Sequence, residues 1–153
     1  MTKIDQSYIQ DKFVEYCKVN TRSDEQSMAV PTTPGQVDLL KIIEKELEKL
    51  GLTDISFSEE DSYLVGKLSS TTNKEVTPIG FVAHVDTADF NSENIRPQVH
   101  KNYDGKDISL KEGRILSTSE FPSLNKHIGE TLITADGSTL LGADDKAGIA
   151  GLL

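Results

Sequence analysis

The chain has 153 residues, 36% of them apolar and 27% charged, a balance that fits one globular domain with a hydrophobic core and excludes a disordered chain. The formal net charge of −9 argues against nucleic acid as a partner, because phosphate binding needs clustered Lys and Arg, and no run approaches the ~20 apolar residues of a membrane helix. Cys17 is the single cysteine, so no intrachain disulfide forms; with an N-terminus lacking the apolar core of a signal peptide, this points to the cytoplasm.

Residues 5–19 predict a first helix, on which Ile9, Phe13 and Tyr16 or Cys17 recur at spacings of three and four. Cys17 then reads as core packing. Residues 21–32 are polar and aperiodic and read as a loop, more readily a plain connector than, in a hydrolase, a segment near the substrate. A second helix follows, with Thr33 as N-cap, Pro34 at the first helical position and Gln36 completing a capping box. Leu40, Ile43, Leu47 and Leu50 mark its apolar face, Lys41, Glu44, Glu46 and Lys49 the solvated one, and Gly51 its stop.

Strand signals come next at 54–58, 63–68 and 78–85, with a Ser/Thr/Asn-rich turn at 69–75. The third is an almost continuous apolar run, which predicts a strand covered on both faces. Residues 89–129 are irregular, with short extended pieces at 108–110 and 115–116. A strand at 131–134, a turn at 135–138 and a helix starting near Asp145 complete the chain. Two helices, then strands, then a helix predict an α/β layer arrangement.

Two constellations carry chemistry. The run Ile-Gly-Phe-Val-Ala-His84-Val-Asp86-Thr ends in a His and an Asp two residues apart, on the same side of a strand. A neutral imidazole is a good zinc ligand, and a carboxylate beside it fixes its tautomer; alone, the pair reads more readily as a hydrogen-bonded strand end. Asp144 and Asp145, between Gly142 and Lys146, read either as helix N-terminal charges or as a short rigid carboxylate able to bridge two metal ions. His100 and His127 lie among polar neighbours and read as structural. No nucleophilic Ser or Cys motif and no Gly-rich phosphate loop is visible.

Taken together, these residues and the segment Thr-Leu-Leu-Gly-Ala-Asp144-Asp145-Lys146-Ala-Gly resemble the two-zinc metallopeptidase family that includes carboxypeptidase G, the aminoacylases and the tripeptide aminopeptidases. The flanking segments Val30-Pro31-Thr-Thr-Pro-Gly-Gln36, Asn102-Tyr-Asp-Gly-Lys-Asp107-Ile and Gly129-Glu-Thr-Leu-Ile-Thr134 make the tripeptide aminopeptidase branch the nearest. The resemblance implies that residues 1–153 are the N-terminal portion of a mixed-sheet zinc-exopeptidase catalytic domain with flanking helices, without the lid domain. It implies two zinc ions per complete site and a small peptide as substrate. His84 would ligate one zinc, Asp86 would act as the catalytic-site carboxylate that orients His84, and Asp144 would bridge both metals, followed by a cis peptide bond. The family's general-base Glu, its further ligands and its lid have no matching positions here, so the chain alone is expected to be inactive. Two alternatives stand beside this: a truncated, non-catalytic binding or assembly module, and another two-zinc hydrolase acting on dipeptides or N-acyl amino acids.

Overall fold

The computed structural model describes residues 5–153; residues 1–4, part of the N-terminus read above for a signal peptide, lie outside the described residues. The chain is mixed α/β and divides into two compact units: one runs through Asp89 and takes up Gly142–Leu153, and the other is Phe90–Leu141.

The first unit contains α1 (Gln6–Cys17), α2 (Pro34–Lys49), the hairpin of β1 (Thr53–Ser58) and β2 (Tyr63–Lys67), and α3 (Ala143–Leu152). Asp5 begins α1 by accepting from the Ser7 and Tyr8 amides, two of the donors a helix start leaves unpaired. α1 packs on α3 and α2 on the hairpin. Phe13, Tyr16, Cys17, Leu39, Leu40, Ile43, Leu47, Ile149 and Ala150 form its core.

Three local expectations for α2 need correction. The capping box does not form: the Thr33 hydroxyl donates instead to the Arg22 carbonyl, and the Gln36 amide donates to the Thr32 hydroxyl. Glu46 is not on a solvated face but buried, because Lys12 of α1 reaches its carboxylate at 2.8 Å and ties the two helices together. Leu39 replaces Leu50 on the buried face, since Leu50 is the C-cap and lies past the last turn. Gly35 allows the first turn of α2 to press against the Asn20 carbonyl, where a Cβ has no room.

The run at 78–85 departs most from expectation. It joins no ladder among the described residues, and Ile79, Phe81 and Val82 are exposed. A strand is made by the neighbours that take its N–H and C=O groups, and none of the described strands does so. Just beyond it, Thr87 and Arg22 form an isolated parallel bridge.

The second unit contains β3 (Gln98–His100) paired antiparallel with β6 (Leu132–Thr134), and β4 (Ile108–Ser109) paired antiparallel with β5 (Ile115–Leu116). The short strand pieces expected inside the irregular segment are thus present and pair with each other. Ile95, Tyr103 and Ile108 are its buried apolar residues. With so small a core, polar contacts matter: the Tyr103 hydroxyl donates to the Lys106 carbonyl at 2.6 Å, and Lys111 meets the buried Asp136 carboxylate at 2.7 Å.

The Lys111 ammonium, then the Ser138 hydroxyl and amide, hold the Asp136 carboxyl far below the usual carboxylate range. A folded-state value below the unfolded one contributes stability that is full above the unfolded pKa, about 4, and is lost as pH falls beneath it. Asp136→Asn is therefore expected to lower the urea midpoint clearly at neutral pH and progressively less as the medium is acidified below about pH 4. A deficit that stayed constant into acid would refute the ionic origin of the effect.

Candidate metal centre

The three residues singled out from the sequence come together within the first unit. The His84 ring lies between two carboxylates: its Nε2 is 2.9 Å from Asp144 Oδ1, and its Nδ1 is 3.0 Å from Asp86 Oδ1 and 3.1 Å from the Asp86 carbonyl. His84 and Asp86 are half exposed and Asp144 almost fully so. The group opens to solvent, as a place that receives a small ligand must.

The start of α3 explains why adjacent acids differ in role. Regular helix begins only at Lys146, since Asp144 and Asp145 have non-helical backbone angles, and the peptide bond between them is cis, as the family resemblance implied. Asp145 turns inward and its carboxylate accepts from the Gly148 amide at 3.2 Å, capping the helix. A Cβ at position 148 would collide with that carboxylate, so glycine is what permits the cap. Asp144 is left free of the helix and faces His84. Lys146 is fully buried and donates to the Val19 carbonyl at 2.7 Å, and burial lowers its pKa to about 8.

Partial burial of the His84 ring disfavours its charged form, but hydrogen bonds to Asp144 and Asp86 outweigh this and hold its pKa above the ordinary imidazole value. A proton and a divalent cation therefore compete for Nε2. The donor types suit zinc, which takes imidazole nitrogen and carboxylate oxygen at about 2.0–2.2 Å. Two donors at that distance from a tetrahedral ion are about 3.4 Å apart, so His84 and Asp144 need to open by about half an ångström to share one. Among the described residues no group of three or more His, Cys, Asp or Glu side chains is poised to hold a metal ion. His84 and Asp144 thus offer two donors of types that zinc accepts.

His100 and His127, read as structural, are engaged within the second unit by the Thr134 hydroxyl at 3.0 Å and the Glu130 carboxylate at 2.8 Å. Ser23 was missed: its hydroxyl donates to Asp86 Oδ2 at 3.1 Å. Its only sequence signal was membership of a polar loop ahead of α2, which does not single out one serine.

No family model matches the chain. The chain is 48% identical over 149 residues to Peptidase T of Fusobacterium nucleatum subsp. nucleatum, covering 96% of this chain and 36% of that protein. It is 52% identical over 144 residues to Peptidase T of Shouchella clausii, covering 94% and 35% respectively, and 50% identical over 145 residues to Peptidase T of Listeria monocytogenes serotype 4b, covering 93% and 35%. The likeness read from the motifs extends over nearly the whole chain, and it is a likeness to peptidase T. The chain spans about a third of the length of the curated relatives it matches.

Proposed function

We propose that this chain is the N-terminal part of a peptidase T, a zinc-dependent aminopeptidase that releases the N-terminal residue from tripeptides in the cytoplasm. The observation that carries the reading is the approach of His84 to Asp144 across 60 residues of sequence, with Asp86 behind the imidazole. Near 50% identity to proteins named peptidase T supports it.

His84 Nε2 and Asp144 Oδ1 are the two atoms that would hold zinc. A zinc held there would supply Lewis-acid chemistry toward a carbonyl and a water. In the Nδ1–H tautomer Asp86 accepts from His84, which leaves Nε2 with its lone pair for a metal. Asp145 anchors the turn that presents Asp144. Among the described residues no group of three or more His, Cys, Asp or Glu gathers at this site, and on this reading residues 1–153 alone lack turnover.

The test is a chimera that joins residues 1–153 to the remaining two thirds of the Shouchella clausii peptidase T, assayed for release of the first residue of a tripeptide, with and without chelator. Chelator-sensitive turnover by the chimera, and none by the chain alone, is the expected pair of results. An inert but folded chimera, or robust turnover by the chain alone, would contradict the reading. Assay on dipeptides and N-acyl amino acids distinguishes the other two-zinc hydrolases.

A further inference from the structure

From the backbone path of residues 19–25, we infer that Ser23 is a positioning residue that sets the tautomer of His84 through Asp86; this rests on the metal-site reading above. Residues 21–25 lie alongside 86–89. The Thr87 amide donates to the Thr21 carbonyl at 3.0 Å and the Ser23 amide to the Thr87 carbonyl at 2.9 Å. Arg22 Nε donates to Asp89 Oδ1 at 2.6 Å, and the Glu25 amide reaches the other oxygen of Asp89 at 3.4 Å. Just upstream, the Val19 carbonyl receives the buried Lys146 ammonium. One short segment is thus tied both to the chain that carries His84 and Asp86 and to the helix that follows Asp144.

Ser23 is where this strap meets the site. The Asp86 carboxylate has two oxygens with separate duties: Oδ1 faces His84 Nδ1 at 3.0 Å, and Oδ2 accepts from the Ser23 hydroxyl at 3.1 Å. The terminal torsion of an aspartate is broad, so a donor on Oδ2 is what keeps Oδ1 turned toward His84 Nδ1. In its neutral form the ring has one N–H and two claimants. Asp86 offers Nδ1 a carboxylate oxygen and a carbonyl, whereas Asp144 offers Nε2 a single oxygen at 2.9 Å. With Asp86 held, the proton stays on Nδ1 and Nε2 keeps its lone pair. Without the Ser23 hydroxyl, Asp86 rotates, its claim weakens and the proton moves to Nε2, where it blocks the ligating atom.

The experiment is imidazole 15N NMR on the 153-residue chain at a pH where the ring is neutral, comparing the parent with Ser23→Ala and Ser23→Thr. The Nδ1–H to Nε2–H ratio is expected to fall by about fivefold in Ser23→Ala, the equivalent of one ordinary hydrogen bond, and to recover in Ser23→Thr, which keeps the hydroxyl. A role confined to packing would change the unfolding midpoint and leave the ratio alone. An unchanged ratio in a folded Ser23→Ala chain, or no recovery in folded Ser23→Thr, overturns the inference. Zinc titration of the parent, read at the same Nε2 resonance, separates the two readings: a tautomer shift in Ser23→Ala with no zinc response in the parent upholds the strap and counts against the metal centre.

Discussion

Replacing His84 with alanine, in a peptidase T that begins with these 153 residues, is expected to lower kcat/KM for a tripeptide by about three orders of magnitude. That figure is the several kcal/mol of transition-state stabilisation a Lewis-acid metal contributes, at 1.36 kcal/mol per factor of ten. Within these residues the two other histidines, His100 and His127, are engaged by Thr134 and Glu130. Asp86→Asn is expected to cost less, about 10- to 100-fold, since it leaves the ligand in place and disturbs only its partner. Steady-state kinetics with matched metal content decide the order. If His84→Ala keeps more than about a tenth of the activity, or if Asp86→Asn is the more damaging change, the assigned roles are wrong.

Leu39→Ala is expected to destabilise the first unit by about 2–5 kcal/mol, the range for truncating a buried leucine that leaves a cavity behind. Leu39 is 0% exposed within the face of α2 that also buries Leu40, Ile43 and Leu47. Leu50→Ala, at 43% exposure, should cost less than about 1 kcal/mol. Urea unfolding followed by helical circular dichroism measures both. Similar losses for the two variants would mean that the core is not centred where Leu39 lies.

That contrast also shows what the sequence could tell. Periodicity located α1, α2 and the strands β1 and β2, because the spacing of apolar residues that marks each one lies within its own few turns or pleats, even for α1, whose partner α3 is far away in sequence. It misplaced Glu46, whose burial depends on Lys12 from another helix, a pairing no local pattern contains. It also read 78–85 as a covered strand. Apolar composition states that a segment needs cover without naming what supplies it, and here Phe81 and Val82 are left exposed.

The site follows the same rule. His84, Asp86 and Asp144 stood out because a motif gathers rare residue types at short spacing, and the structure brings them together. Ser23 carried no such signature. A serine in a polar loop becomes meaningful only once the chain returns, 63 residues later, to place Asp86 beside it.

The distance in sequence between His84 and Asp144 has a thermodynamic side. Any ligand that grips both side chains at once closes a loop between residues 60 apart, much as a cross-link would. A ligand that binds the folded pair and not the unfolded chain stabilises the fold by about 2.7 kcal/mol at one hundred times its Kd. Occupancy of the site and persistence of the fold are therefore one linked equilibrium, and the same contacts that recruit a ligand also lend it leverage over the whole unit.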